Sequence, residues 1–391
     1  MKEWKKVKLG EVADAQYGYT ASTVNINTGT KFLRITDIVP NQIDWDNVPY
    51  CHIQDKDRDK YLLHKGDIVI ARTGATVGYA KYIKEDVQSV FASYLVRFVV
   101  NSKDALSEFV GICVESPLFK EYINSIANGS AQPNANSTMM SSFEFLLPPL
   151  PTQHRIASIL SRYDALIENY QKQIKLLEEA AARLYKQWFV ELKFPGYQNT
   201  TIIDGVPEGW EKKKLAEIAD ITMGQSPKSD FYNNDKIGLP FHQGVGSYGT
   251  RFVDDCVYSS SFNKIAEPNS VLFSVRAPVG RLNLTKNKIA IGRGLAAINH
   301  KKGFQSFLFY LLKERFFKDN IIGNGSIFAS ISKAELFDLE FIIPSENLES
   351  KFNKIANNFD RSIMSLDSQI RHLTESRDRL LPKLMSGELE V

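Results

Sequence analysis

The 391-residue chain has few of the features that announce a catalytic or membrane protein. Its three cysteines, Cys51, Cys113 and Cys256, are widely spaced and lie outside any CxxC or HxxxH pattern, so neither a disulfide framework nor a zinc knot is expected. Reduced, mostly buried thiols fit better. No apolar run approaches the ~20 residues of a membrane span. The opening MKEWKKVKLGEV has charge but no apolar stretch behind it, which predicts a cytoplasmic protein with no membrane partner. A phosphate loop of the form GxxxxGK[ST] is missing, which excludes the common route to nucleoside triphosphate hydrolysis. Methyl transfer to a DNA base would need an N/D-P-P-Y/F motif, whereas Pro148-Pro149 stands in Leu-Pro-Pro-Leu. Asp55, Asp57 and Asp59 alternate with basic residues and read as a solvated loop rather than a nuclease centre. Gly244 to Gly249 satisfies GxGxxG, but Thr250 to Asp254 follow where a dinucleotide fold needs a helix. No catalytic residue, metal site or cofactor is expected.

Charge is equally uninformative, because a net +3 spread along the chain does not by itself mark a nucleic-acid binder. What the chain does contain is a repeat. Trp4 to Gly18 (WKKVKLGEVADAQYG) returns as Trp210 to Gly224 (WEKKKLAEIADITMG), at an offset of 206. By Asn124 to Ser130 (NSIANGS) against Asn320 to Ser326 (NIIGNGS) the offset has become 196, and it holds to the end. The two halves are homologous modules that differ by about ten residues of loop, in the manner of internal repeats.

Each module should open with a short helix, Leu9 to Ala15 or Leu215 to Ile221, and then turn to strands. Strands are predicted at Lys31 to Ile38, Asp67 to Ala71, Val77 to Ile83 and Val90 to Val99, and again at Phe252 to Tyr258, Ser270 to Val275 and Ile289 to Ile298. Helical patches follow at Asp104 to Ala127, broken at Ser116-Pro117, and at Phe304 to Asn320. A last strand, Phe143 to Leu147 or Leu339 to Ile343, precedes a long helix, with Leu147 to Pro151 as a stiff connector in the first copy.

Thr152 to about Leu192 is the first long helix. Its apolar seam is Ile156, Leu160, Tyr163, Ile167, Tyr170, Ile174, Leu177, Ala181, Leu184 and Trp188, with steps alternating four and three. Adding 196 gives Phe352, Ala356, Phe359, Ile363, Leu366, Ile370, Leu373, Arg377, Leu380 and Leu384, and only Arg377 interrupts it. Matching seams in one chain are most economically buried against each other. A two-fold relation between the repeats favours an antiparallel pair with one module at each end. The expected fold class is α+β: two homologous mixed modules, 1–151 and 196–344, separated by two long spacer helices, 152–195 and 345–391, that form an antiparallel coiled coil.

Basic and aromatic residues recur at the strand ends. Arg72 and Thr73 stand at the end of a strand beside Gly74, with Gly78 and Lys81 after them, and Arg276 and Arg281 hold the corresponding place around Gly280; Tyr94 and Arg97, and Arg293, come on the following strand, and Arg34 lies on an earlier one. Arginine so placed fits phosphate anchoring or guanine readout, although each taken singly also fits a surface salt bridge. The loop HQGVGSYGTR offers His242, Gln243, Ser247, Tyr248, Thr250 and Arg251 to a polar partner such as a base edge, or is a plain structural turn.

The module openings Trp4 to Glu11 and Pro207 to Glu217, the helix entries Leu147 to Ile156 and Ile343-Pro344, and the ending Leu384 to Val391 come in an order that resembles the specificity subunit of type I restriction-modification systems, over essentially the whole chain. The resemblance implies two target recognition domains that each read one half of a split, asymmetric site in double-stranded DNA. It implies that the helix pair sets the gap as a ruler and docks two DNA methyltransferase (modification) subunits, and through them the restriction/translocase subunits. Base flipping, cofactor binding and methyl transfer would belong to those partners. Two alternatives stay open: the recognition part of a fused DNA methyltransferase, and a coiled-coil adaptor with no DNA role.

Overall fold

A computed structural model describes residues 4–40, 42–127, 133–316 and 330–391. The chain forms two compact units, residues 1–168 with 371–391, and residues 169–370. The repeat at Asn320 to Ser326, and the end of the helix expected to run to Asn320, lie outside the described residues.

Both units are built on the same strand plan. In the first, a four-stranded antiparallel sheet has the order Ala13–Tyr17, Leu95–Val100, Ile68–Ala71, Ala80–Tyr82. A second sheet has the order Thr23–Val24, Tyr50–Cys51, Lys31–Leu33, Ser89–Phe91, its last pair parallel. The second unit repeats the first sheet as Ala219–Met223, Leu295–His300, Val271–Ser274, Leu282–Leu284. It also repeats the parallel pair, as Leu239–His242 beside Ile289–Ile291. In each unit a two-stranded ribbon joins the module opening to its last strand: Lys5–Lys8 with Glu144–Leu147, and Glu211–Lys214 with Glu340–Ile343.

The antiparallel sheet of each unit is covered on both faces, and alternation along its strands divides its side chains between two clusters. Ile68, Ile70, Val96 and Phe98 join the cluster that includes the helices. Val69, Ala71 and Leu95 point the other way, into the cluster under the second sheet. Val271, Phe273, Ala296 and Ile298 divide from Leu272, Leu295 and Ala297 in the same manner.

Several elements differ from expectation for local physical reasons. The opening helices are single turns, Leu9–Val12 and Leu215–Ile218, each ending where a strand begins. Glu11 and Glu217 accept from the backbone N–H of Lys8 and Lys214 at 3.0 and 2.6 Å, which fixes the turn's start. The strand from Lys31 stops at Leu33, because Asp37 accepts from the Arg34 backbone N–H at 2.8 Å and opens the helical turn Ile35–Ile38. The strand expected at Val77 to Ile83 is only Ala80–Tyr82, and of Phe252 to Tyr258 only the last residue is in a strand, Tyr258–Ser259. Asp55 to Asp59 is not a loop but the start of an exposed helix, Asp55–Tyr61. The helical patch does break at Ser116-Pro117, giving Ser107–Glu115 and Pro117–Ala127.

The most consequential difference concerns Val90 to Val99 and Ile289 to Ile298. Each is two strands, Ser89–Phe91 with Leu95–Val100 and Ile289–Ile291 with Leu295–His300, and each passes from one sheet to the other through a tight turn. The repeated glycines Gly18 and Gly224 lie against these turns. A Cβ on Gly18 would sit 2.2 Å from the Ala92 carbonyl oxygen, and one on Gly224 would sit 2.1 Å from that of Gly292.

The long helices are Leu150–Tyr185, continued by a π-helical turn Lys186–Val190, and Glu346–Ser386. Pro151 lies in the first turn, where its missing N–H costs nothing, so the stiff connector is shorter than expected. Each helix contributes one part to each unit. In the first unit Ile156 and Leu160 share a cluster with Leu380, Leu384 and Met385. In the second, Ile174, Leu177, Ala181, Leu184 and Trp188 share one with Phe352, Ala356, Phe359, Ile363, Leu366 and Ile370. Ile167 is buried, while Tyr163, Tyr170 and Leu373 are half-buried. The seam's one polar member, Arg377, donates to Asp164 at 2.7 Å, so its charge is paired.

Candidate nucleic-acid interface

At one end of the antiparallel sheet in each unit, four chain segments are laced together by backbone hydrogen bonds. In the first unit Gly18 N–H donates to Leu95 at 3.2 Å, Ser93 N–H to Tyr19 at 2.8 Å, Arg72 N–H to Tyr94 at 3.0 Å and Ala135 N–H to Arg72 at 2.9 Å. In the second, Gly224 N–H donates to Leu295, Val275 N–H to Gly294 and Ile331 N–H to Val275, all at 2.9 Å. Matching bonds give matching positions. Tyr94 corresponds to Gly294 and Arg72 to Val275, so Arg276 stands opposite Thr73, one residue from the correspondence the motif suggests. The bridges Thr73 to Asn134 and Arg276 to Ser330 agree.

This end of the first unit carries Tyr94, 61% exposed, with Tyr17, Arg72 and Thr73 partly exposed beside it. The Arg72 guanidinium lies over the Tyr17 ring, 4.8 Å from its centroid. The Tyr17 phenol oxygen accepts from the Ser137 backbone N–H at 3.0 Å and from its hydroxyl at 3.1 Å. These bonds hold the phenol below its ordinary pKa. Tyr17 lies in the repeated opening, where the second copy has Met223, and Ser137 lies in no motif, so only the fold brings them to Arg72. In the second unit the exposed residues here are Gln243, Arg276 and Arg293. Gly294 N–H donates to the Gln243 carbonyl at 3.1 Å and Arg293 N–H to the Ser226 hydroxyl at 3.1 Å, which draws the glycine-rich loop to the strand turn.

The remaining predicted residues stand elsewhere. Arg34 is half-buried and paired with Asp37 at 2.8 Å. Lys81 is half-buried on its strand opposite Val69, and Arg281 is exposed beside Ser274. Thr250 is exposed, whereas Tyr248 packs among Val253, Leu272 and Leu295, where burial pushes its phenol up. Ser247 bonds to His242 at 2.8 Å, and His242, 1% exposed, also meets Asp255 at 3.0 Å. The turn Gly244 to Gly249 is therefore held from inside.

Two arginines are interior. Arg97, 8% exposed, bonds to Asp67 at 3.2 Å, to the carbonyls of Leu62 at 2.7 Å and Lys60 at 3.1 Å, and to the side chain of Gln16. Arg251, 4% exposed, pairs with Glu178 at 3.3 Å and with Asp360, and lies 3.9 Å over the Phe309 ring. Their donors face inward, so both are structural ion pairs rather than surface contacts. Arg97→Ala is expected to lower the unfolding free energy of the first unit by ~3–5 kcal/mol, because Asp67 is left buried and unpaired. Tyr94→Ala should stay within ~0.5 kcal/mol. Urea unfolding of both variants checks the contrast, and equal stabilities would refute the assignment.

The repeated plan and these laced loop ends define a chain with two sequence-divergent binding modules. The family model for the type I restriction modification DNA specificity domain matches it twice, over residues 1–179 and 207–374, and the chain belongs to that family. It is 27% identical over 403 residues to a Methanocaldococcus jannaschii protein provisionally named the MjaX type I restriction enzyme specificity subunit, covering 100% of this chain and 94% of that protein. It is 22% identical over 477 residues to the HindI type I restriction enzyme specificity subunit of Haemophilus influenzae, with both chains covered in full. The crystal structure of a type I restriction-modification S subunit from M. genitalium shares the fold at TM-score 0.60 and 16% identity, over 98% of this chain and 96% of that one. No helix among the described residues is long and apolar enough to cross a membrane.

Proposed function

We propose that the chain is the DNA-recognition and scaffold subunit of a type I restriction-modification complex, each module reading one half of a split, asymmetric site. The observation that carries this reading is the single strand plan used twice, with different side chains at the same loop ends. Arg72, Thr73 and Tyr94 stand where the second module has Val275, Arg276 and Gly294. Unlike readers select unlike half-sites. The helices act as an antiparallel coiled-coil ruler, the reading that the shared seam clusters support. A helix of 36 residues is ~54 Å long, which suits readers about one to two turns of B-DNA apart. Two methyltransferase subunits, and restriction subunits through them, dock on the helices and supply cofactor and chemistry.

Co-expression with methyltransferase subunits, followed by genome-wide mapping of methylated bases, tests the proposal. A two-part motif with a constant gap is expected, and a contiguous or palindromic motif would sink the ruler. Exchanging residues 207–344 for those of a relative should change one half of the motif and leave the other. Inserting four residues between Leu147 and Thr152 should alter the gap and keep both halves. Binding of the complex to duplex DNA should weaken steeply with salt, as phosphate contacts require. A salt-independent complex indifferent to DNA would favour the adaptor reading.

A further inference from the structure

The first module has four arginines, Arg34, Arg58, Arg72 and Arg97. Three are paired with carboxylates: Arg34 with Asp37, Arg58 with Asp55 and Asp59, and Arg97 with Asp67. Arg72 has no carboxylate partner among the described residues. It lies instead on the Tyr17 ring, and its Nε is buried without a hydrogen-bond partner there. The platform is itself fixed, because Ser137 holds the Tyr17 phenol through two hydrogen bonds. A half-buried arginine is thus stacked at the loop end, its backbone N–H bonded to the carbonyl of Tyr94, whose side chain is exposed, with Thr73 next in the chain.

We infer that Arg72 is the guanine-reading residue of the first half-site, its two terminal amino groups donating to O6 and N7 of one guanine in the major groove. The inference rests on the DNA-recognition reading above and adds the base and the atom pair. The geometry separates a base contact from a phosphate contact. A phosphate tolerates many approach directions and is well served by a mobile exposed cation, whereas a base edge rewards a planar fork fixed in advance. Stacking on Tyr17 covers a face of the Arg72 guanidinium and Nε is buried, which leaves the two terminal amino groups as the fork. Arg276 and Arg293 of the second module are exposed and have no such platform among the described residues, so the same chemistry is not assigned to them.

The test uses the complex with its methyltransferase subunits and duplexes in which each guanine of the first half-site is replaced, one at a time, by 7-deazaguanine, which lacks the N7 acceptor. The first half-site is the half that survives exchange of residues 207–344. At one position the wild-type complex should bind the substituted duplex about 2- to 12-fold more weakly, half in free energy of one good bidentate base contact, because only one of its two acceptors is removed. Arg72→Lys keeps the charge but not the planar fork, so its loss of binding on the substituted duplex should be distinctly smaller than the wild-type loss. Tyr17→Leu removes the platform and should lose most of the same discrimination. Methylation by the Arg72→Lys complex should relax at that one position only.

Several results would overturn the inference while leaving the proposed function intact. They are a first half-site without a G·C pair, an Arg72→Lys complex as sensitive to 7-deazaguanine as wild type, and an unchanged first half of the motif. Uniform loss of binding by the lysine variant, with its unfolding curve unchanged, would also overturn it and assign Arg72 to the phosphate backbone. If the wild-type complex yields no two-part motif at all, it is the proposed function that fails.

Discussion

Arg251→Ala should destabilise the second unit by ~3–5 kcal/mol, the usual cost of removing one partner from a buried ion pair. Arg251 reaches out of the glycine-rich loop to Glu178 on one long helix and Asp360 on the other, and its guanidinium covers the Phe309 ring. Burial opposes its charge, but the Tyr310 phenol, Asp360 and Glu178 offset that burial, so its pKa stays above the ordinary arginine value. Truncation leaves two carboxylates facing each other across the vacated site and removes the contact with Phe309. Asp360→Asn should cost less, because an amide oxygen still accepts from the guanidinium. Lys286, paired with Asp367 two helical turns further along, gives the module a second attachment to the same helix. Urea unfolding followed by Trp188 and Trp210 fluorescence measures both variants. A loss below ~1 kcal/mol for Arg251→Ala, the level of an exposed pair, would refute the buried clamp.

Phe352→Ala should cost about as much, ~3–5 kcal/mol, by the different route of leaving a cavity. Phe352 is fully buried and sits among the rings of Tyr185, Trp188, Phe189, Phe307 and Tyr310, with centroids 5.3 to 6.2 Å away. These rings come from both long helices and from the helix Gln305–Phe316, so its removal loosens three elements together. Phe359, one heptad on, is only half-buried and should cost distinctly less when truncated. The comparison of the two variants is a direct check, and equal losses would mean that the seam, rather than the aromatic cluster, supplies the stability.

The helices and the repeat were legible because their signals are local. A seam spaced four and three, or a glycine returning 206 residues later, needs no knowledge of what packs where. Val90 to Val99 reads as one strand because it is rich in β-branched and aromatic residues and holds no glycine or proline to mark the break. Gly292 and Gly294 were the available hint in the second copy, where a break falls between two glycines. The candidate interface was legible only in part. Arg72 and Thr73 stand at a strand end and Tyr94 in the run that follows, whereas Tyr17 and Ser137 lie far off in the chain and meet Arg72 only through the sheet and the segment beside it.

Arginine burial was not legible at all. Arg97 sits in Leu-Val-Arg-Phe-Val-Val, which suits a strand with one face in water, yet this sheet is covered on both faces and Asp67 waits just before the neighbouring strand Ile68–Ala71. Arg251 and Arg276 look alike beside glycine and proline turns, but one is sealed between two helix carboxylates and the other is exposed. The sequence by itself determined the duplicated module, the heptad seams and membership of a DNA-specificity family, because each is a pattern in residue order. Which basic side chains face outward was decided only by tertiary structure, since a charge goes inside wherever a counter-charge and hydrogen-bond partners meet it, and those partners come from distant parts of the chain.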